Sequence, residues 1–293
     1  MSLVTNVDRL VKISVMGQVS APRYDTRSPY RISHDGQPRV LPGTGGITYD
    51  IRVGDRVGGL VGDHVEPCVS LKNPDETANG GLNVLACVGN EAIVTSGAAK
   101  GETGVVTGKH GGIEHVMIDF PPETTDKMVV GDSVLVRGFG TGLAIEGFPD
   151  VLCTSLDPAL LARWVTRVED GKLVVPVAAR APAAVMGSGL GRDHVFRGDY
   201  DITLFDRDVV AEYGLDALRF GDFVAILDAD ATYGRHYAGG AVSVGIIAHG
   251  DSIIAGHGPG VTGLLTSRSG KITPVIDPAA NIADVLGLRA DAG

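Results

Sequence analysis

The chain has 293 residues, of which 44% are hydrophobic, 20% charged and 5% aromatic, and its formal net charge is −10. This length and balance predict a globular protein with a sizeable core, and an acidic charge without a Lys/Arg cluster argues against nucleic acid or a membrane as partner. Three scattered cysteines with no CxxC pair, no apolar run of membrane-spanning length and charges that interrupt the N-terminal apolar residues predict a reduced, cytoplasmic protein.

Short strands dominate the predicted elements, because Val/Ile-rich runs are bounded by glycine, aspartate or proline. In chain order, we predict strands at VKISVMG (11–17), ITYDIRV (47–53), LNVLACV (82–88), EAIVTSG (91–97), TGVVTG (103–108), HVMIDF (115–120), SVLVRG (133–138), KLVVPVA (172–178), FVAILDA (223–229) and AVSVGIIAH (241–249). Cap and turn residues predict helices at DPALLARWV (157–165), DRDVVAEYGLDALRF (206–220) and NIADVLGL (281–288).

This pattern predicts a mainly β fold with a few helices, of the β or α+β class. Gly-Asp corners recur before β-branched runs, as in small barrels. We therefore expect two β-barrel-like lobes: an N-terminal β-rich lobe (1–150) and a C-terminal β-rich lobe with peripheral helices (175–293). A short helical connector (151–174) joins them.

The stretch GKHGGIEHVMIDF (108–120) brings three polar side chains close in sequence: His110, His115 and Asp119. On a strand, His115 and Asp119 share one face but stand about 13 Å apart, too far for one metal ion with bonds of about 2 Å. His110 precedes a Gly-Gly and can fold back toward His115. The alternative is a partly exposed strand face with a hydrogen-bonded histidine.

Two further segments place polar residues at i, i+2. In GDHVEPC (62–68), His64 and Glu66 would point to the same side of an extended chain, about 7 Å apart; the alternative is a solvated turn. In ILDADATYGRHY (226–237), Asp228 and Asp230 end an apolar strand. Either they pair with Arg235, or one of them faces a cleft and acts as a general base.

Glycine-rich loops supply candidate anion sites, because successive backbone N–H groups can point inward. They are GSGLGRDH (187–194) and GHGPGVTGLL (256–265), and each could equally be a tight turn. Neither fits the dinucleotide fingerprint, and in GETGVVTGKHGG a histidine stands where a P-loop needs Ser or Thr. AHGDS (248–252) adds another i, i+2 pair, His249 and Asp251.

Several longer strings together resemble the uncharacterised bacterial and archaeal family called domain of unknown function 4438. They are GGITYDIRVGD, GDHVEPCVS, NPDETANGGLNVLACVGNEA, SGAAKGETGVVTGKHGG, GSGLG, GDYDI, YGRHYAGGAVSVG and GHGPGV. The resemblance implies a two-part, mostly β protein and brings no established activity or catalytic residues.

The first functional hypothesis is an enzyme, because seven of the eight histidines, all but His34, lie in these Gly/Asp-rich segments. We predict a hydrolase or lyase acting on a small polar amide, lactam or carboxylate at a site between the lobes, where a divalent metal ion is the candidate cofactor. The predicted catalytic residues are His64, Glu66, His110, His115, Asp228, Asp230 and His236. The predicted substrate-binding residues are Lys109, Gly111, Gly112, Gly189, Arg192, His257 and Gly258.

Other hypotheses remain open at this point. The protein could be a non-enzymatic ligand-binding or assembly protein, in which the His/Asp pairs cap turns and form subunit contacts. A lesser alternative is a cofactor-free isomerase on a cyclophilin-like barrel, with Arg137 and Phe139 lining a groove. In each case we expect a small polar or anionic molecule as partner, no nucleic acid, no membrane, and a homo-oligomer.

Overall fold

A computed structural model describes residues 3–25, 27–165 and 167–289. The protein consists mainly of strands (36%), with 15% helix, as the sequence predicts. The first lobe contains strands β1 (Ile13–Val19), β2 (Arg31–Ile32), β3 (Pro38–Arg39), β4 (Ile47–Thr48), β5 (Cys68–Lys72), β6 (Glu91–Val94), β7 (Thr103–His110), β8 (His115–Asp119) and β9 (Ser133–Gly138). Its helices are α1 (Glu76–Leu85) and α2 (Pro122–Thr125).

Six of these strands form a closed antiparallel barrel in the order β1-β9-β6-β7-β8-β5. The ring closes because β1 pairs with both β9 and β5. β4 continues the sheet beyond β5, while β2 and β3 form a separate hairpin. Closure removes the unpaired edges of the sheet, and the inward residues, such as Leu71, Val106, Ile118 and Val136, fill the barrel core.

One predicted strand of the first lobe is a helix. The run 82–88 was assigned to a strand from its apolar residues, but α1 covers its first half. Asp75 caps that helix by accepting a hydrogen bond from a backbone N–H of the first turn. Leu82 is fully buried in the barrel core. The apolar character that suggested a buried strand therefore belongs to the buried face of a helix.

The second lobe contains strands β10 (Leu152–Cys153), β11 (Arg167–Glu169), β12 (Lys172–Val177), β13 (Ala179–Pro182), β14 (Tyr200–Asp201), β15 (Phe223–Asp230), β16 (His236–His249), β17 (Gly260–Ser267) and β18 (Ile272–Ile276). Its helices are α3 (Pro158–Trp164), α4 (Arg207–Tyr213) and α5 (Ile282–Leu286). One sheet has the order β10-β17-β16-β15-β13, and β14 also pairs with β17. A second sheet has the order β11-β12-β18.

The segment predicted as a connector, 151–174, includes more than a helix. Asp157 caps α3 as expected, with Pro158 in the first turn. The segment also contains β10, which joins the large sheet, and β11, which forms a hairpin with β12. Trp164 of α3 stacks on Phe223 with ring centroids 4.0 Å apart, so α3 packs into the core of the second lobe.

The barrel and the large sheet touch where β7 passes β16 and β17. A Cβ on Gly108 would lie only 2.5 Å from Cβ of Ala248, so glycine permits this close approach. The N–H of Lys109 donates to the hydroxyl of Thr262 (2.9 Å), which donates to the carbonyl of Lys109 (3.0 Å). These contacts place the ends of β7 and β16 side by side.

Among the described residues, no helix combines the length and apolar character needed to cross a bilayer.

Candidate functional site

The β7–β8 hairpin presents two histidines to one carboxylate. His110 and His115 are opposite each other in the strand ladder, and their Nδ1 atoms lie 2.6 and 2.8 Å from the carboxylate oxygens of Glu66. A carboxylate anion only accepts hydrogen bonds, so both rings donate from Nδ1. Glu66 is 1% exposed and His115 is 0% exposed. The strand face expected to be partly exposed is therefore interior.

The carboxylate of Glu66 has further hydrogen-bond partners besides the two histidines. It also accepts hydrogen bonds from the backbone N–H of Gly45 (2.7 Å) and the hydroxyl of Ser70. Burial alone would raise its pKa, but the hydrogen bonds and charges of His110 and His115 lower that pKa well below the usual range. Glu66 thus remains an anion that orients both rings.

Three neighbouring strands of the second lobe bring further ligand-type side chains into one row. Gly260, the first residue of β17, is the register partner of both Asp201 on β14 and His249 on β16. A Cβ on Gly260 would lie 2.1 Å from Oδ2 of Asp199 and 2.2 Å from Nε2 of His249. Only glycine leaves room for these two side chains to meet.

Asp199 and His249 face each other inside this row. Oδ2 of Asp199 lies 2.7 Å from Nε2 of His249, yet both atoms are buried and neither has hydrogen-bond geometry to any described partner. Nδ1 of His249 lies 3.0 Å from the carbonyl of Gly250, and the N–H of Gly111 donates to Oδ1 of Asp199 (2.7 Å). Hydrogen bonds therefore fix Nδ1 of His249 and Oδ1 of Asp199, whereas Nε2 of His249 and Oδ2 of Asp199 face each other.

The charge state of this pair follows from its surroundings. Burial disfavours the imidazolium form of His249, but the carboxylates of Asp199 and Asp201 outweigh burial and raise the pKa of His249 well above its usual range. In the other direction, burial disfavours the charged form of Asp199, and His249 and His110 lower the pKa of Asp199. The two carboxylates therefore favour a positive charge at Nε2 of His249.

Asp201 connects the row to two more histidines. Its Oδ1 lies 3.5 Å from Nε2 of His249, and its Oδ2 lies 3.1 Å from Nδ1 of His257 and 3.7 Å from Nε2 of His64. Nδ1 of His64 lies 3.1 Å from the carboxylate of Asp63. Burial opposes ionisation of Asp201, but the three histidines lower its pKa below the usual range.

These contacts define the histidine–carboxylate cluster: His64, His110, Asp199, Asp201, His249 and His257. The ring centroids of His110 and His249 are 4.0 Å apart, and those of His64 and His257 are 5.0 Å apart. Two groups of ligand atoms each fall within 4.8 Å: His64, Asp201 and His257, and Asp199, Asp201 and His249. Because metal bonds to N and O are about 2.0–2.2 Å for zinc, each group is compact enough to surround one ion.

The cluster opens into a pocket of about 140 Å³. His64, His110 and His257 line it together with the two aspartates. The rest of the lining is basic or glycine-rich: Gly111, Gly112, Gly189, Arg192, His194, Arg197 and Arg235, with Glu114 and Ser188. Residues of both lobes therefore line the same pocket.

The structure brings four of the seven predicted catalytic residues into this network. His64 and His110 line the pocket, and Glu66 and His115 lie behind His110. The other three are placed elsewhere: Asp228 is exposed and accepts from the N–H of Gly240, Asp230 accepts from Thr232 in a separate pocket, and His236 is exposed. Arg235, considered as a partner for these acids, lines the cluster pocket instead. We therefore leave Asp228, Asp230 and His236 out of the site.

Most of the predicted substrate-binding residues lie at the pocket. Gly111, Gly112, Gly189, Arg192 and His257 line it, and the N–H of Gly258 donates to Asp201. Lys109 does not line it, because its side chain turns away into the interior. Its Nζ donates to Ser155 (2.7 Å) and to the carbonyl of Phe196 (2.8 Å), and burial lowers its pKa to about 8.

Three residues of the cluster were missed as site residues. Asp199 and Asp201 form an i, i+2 acidic pair in GDYDI, the same local signal as Asp228 and Asp230. His249 was noted beside Asp251 but was not assigned a role. The carboxylate of Asp251 bonds the following backbone N–H, while its carbonyl accepts from the N–H of His64.

The fold and site define a mainly β protein of two parts, whose buried histidines and carboxylates share one basic-rimmed pocket. The chain belongs to the family described as domain of unknown function (DUF4438): its N-terminal model matches residues 30–162 and its C-terminal model matches residues 163–286. A solved structure described as "Crystal structure of TM1086" is similar, with 44% identity, a TM-score of 0.92, and coverage of 97% of this chain and 99% of that chain. Comparison with curated proteins gives no match.

Proposed function

We propose that this protein is a metal-assisted hydrolase or lyase that acts on a small polar or anionic substrate, of the amide, lactam or carboxylate type. One observation carries the proposal: Nε2 of His249 and Oδ2 of Asp199 lie 2.7 Å apart, buried, without hydrogen-bond geometry. Two electron-rich atoms at this distance repel each other unless a cation neutralises them. A proton on His249 or a divalent metal ion meets that need.

The surroundings of the rings favour a metal. Metal-binding histidines usually donate their other N–H to a carboxylate or a carbonyl. His249 does so to Gly250, and His64 does so to Asp63. Imidazole with carboxylate suits zinc, iron, manganese and similar divalent ions.

Asp201 supports a centre of two ions. Its Oδ1 is directed toward His249, and its Oδ2 toward His64 and His257. A carboxylate that offers one oxygen to each of two ligand groups is suited to bridge ions about 3.5–4 Å apart, as in two-metal hydrolases.

His110 is suited to proton transfer beside such a centre. It lines the pocket, and its Nδ1 donates to Glu66, whereas its Nε2 has no hydrogen bond to a described residue. Burial lowers the pKa of His110, which favours the neutral ring at pH 7. A bound divalent ion would lower the pKa of its water to about 7, and His110 would accept or return the proton.

The test is metal analysis of the purified protein, followed by assays against amide, lactam and carboxylate panels before and after chelation. We expect bound divalent metal, activity lost on chelation and activity restored by the metal. Asp201→Asn should lose most of the metal, while the exposed Asp228→Asn, a matched change, should retain it. Metal without turnover would favour the ligand-binding alternative, and a metal-free protein unaffected by chelation would refute the proposal.

We further propose that the chain works in the cytoplasm and self-associates. Its three cysteines are free and buried, which fits a reducing compartment. Tyr30, Ile32 and Val40 are exposed apolar residues in and around the β2–β3 hairpin, a surface suited to a contact between copies. Light scattering coupled to size-exclusion chromatography measures the mass in solution, and a monomer at all concentrations would refute self-association.

A further inference from the structure

Besides the histidine–carboxylate cluster, the pocket lining contains three arginines, Arg192, Arg197 and Arg235, which we call the basic wall. Arg235 is the most enclosed of the three, at 4% exposed. Its Nη2 donates to the carbonyls of His194 (3.2 Å) and Arg197 (3.4 Å). In the described part of the chain, no carboxylate oxygen lies within 4.0 Å of its guanidinium, so this buried charge contacts carbonyls but no carboxylate, and Asp199 acts on it only from farther away.

Arg197 differs from Arg235, because its side chain is partly exposed and Glu114 is an ion-pair partner. Its Nε is buried without a hydrogen bond among the described residues, because Glu114 lies 3.5 Å away but outside hydrogen-bond geometry. Arg192 is exposed at the rim and makes no ion pair with a described residue. A guanidinium presents a planar fork of donors that matches a carboxylate or phosphate, and a buried one without an anion is costly.

We propose that the basic wall is an anion subsite, which binds a carboxylate or phosphate group of a small substrate while the histidine–carboxylate cluster acts on a neighbouring bond. The assignment to a substrate rests on the proposed function, whereas the binding of the anion does not. Arg235 supplies a buried guanidinium, Arg197 a partly exposed one beside Glu114, and Arg192 approaches from the rim. The pocket volume of about 140 Å³ suits a small anion rather than a polymer end.

The test is isothermal titration calorimetry with malonate and, separately, with inorganic phosphate. Each anion is titrated into the full-length protein as purified and again after chelator treatment. We expect one anion to bind both preparations, and Arg235→Gln and Arg192→Gln each to weaken binding about tenfold, as for a lost charged hydrogen bond. Arg235→Lys, which keeps the charge but loses the fork, should lie between. Arg137→Gln, an exposed arginine of the barrel bonded to Glu91 (2.7 Å), is the matched control and should bind as wild type.

The outcomes separate the two proposals. If neither anion binds either preparation, or if Arg192→Gln and Arg235→Gln bind as wild type, the anion subsite is refuted even when metal is present. If an anion binds the chelator-treated protein with this dependence on arginine but no metal is ever found, the subsite stands and the metal chemistry falls. Arg192→Gln keeps the test valid if Arg235→Gln does not fold, because Arg192 is exposed. Preference for malonate or for phosphate identifies the anionic group.

Discussion

His249 and Asp199 meet beside a residue that has no side chain. Nε2 of the histidine and Oδ2 of the aspartate lie 2.7 Å apart, and the position of a Cβ on Gly260 falls within 2.2 Å of both. The glycine thus lets the two strands and the 199–201 segment converge on one point. The cluster depends on this residue as much as on its ligands.

Gly260→Ala should therefore abolish the cluster. The added methyl group must displace Asp199 or His249, so we expect loss of bound metal and a fall of about 1–3 kcal/mol in the free energy of unfolding from overpacking. Gly263→Ala on the same strand is the control, because its Cβ would meet only Thr154 at 3.7 Å. Metal analysis and urea unfolding of both variants measure the effect, and equal behaviour would contradict the role of Gly260.

The raised pKa of His249 predicts how stability depends on pH in chelator-treated protein. A native pKa above the unfolded value, about 6.5, means that the protonated ring stabilises the fold fully below that value. This contribution is lost as pH rises through the native pKa. The difference in unfolding free energy between wild type and His249→Gln should therefore shrink between pH 6 and pH 10, as measured by urea titration. A difference that grows over this interval would show that the ring is neutral in the fold.

The pKa shift of Glu66 makes stability depend on pH in the opposite direction. Its native pKa is lowered, so its contribution is present above the unfolded pKa of about 4.3 and is lost as pH falls toward the native value. Glu66→Gln replaces the anionic acceptor of two buried Nδ1–H groups with a neutral amide and should cost about 3 kcal/mol at pH 7, with a smaller cost at pH 4. Glu102→Gln removes an exposed partner of Lys127 and should cost at most about 0.5 kcal/mol. Urea titrations at pH 7 and pH 4 measure the free energy of unfolding of both variants. A cost of Glu66→Gln that does not depend on pH would contradict the prediction.

Lys109 should make the protein more stable in mild alkali. Its pKa is about 8 in the fold against about 10.4 when unfolded. Between these values the unfolded chain binds the extra proton, so stability rises with pH, by about 3 kcal/mol over the interval. Lys109→Met should remove this rise. The measurement is the wild-type minus variant difference in unfolding free energy at pH 7 and pH 10, and a flat difference would mean that Lys109 is charged at both.

Local sequence patterns predicted many of the strands and helices correctly. SVLVRG coincides with β9, and HVMIDF and the helix DPALLARWV lie within a residue or two of β8 and α3. The apolar run 82–88 was misassigned because an amphipathic helix and a buried strand look alike over seven residues. Asp75, seven residues upstream, carried the decisive capping signal.

The site could be predicted only in part. His110 and His115 are joined by a short hairpin, so proximity in sequence implied proximity in space. Asp199 and Asp201 share their i, i+2 spacing with Asp228 and Asp230, and no local feature tells which pair reaches the pocket. That choice is made by the pairing of β14 with β17, a contact between residues far apart in the chain.

The pocket is lined from both sides of the boundary at residues 162 and 163. A gene divided there would yield two products, each bearing unbalanced interior charge: Asp63, Glu66 and three imidazoles on one, Asp199, Asp201 and two imidazoles on the other. If one half of the cluster were absent, the buried charges of the other half would have no partners. The two halves must therefore be present together, in one chain or as a tight complex, for the charges of the shared interior to be neutralised.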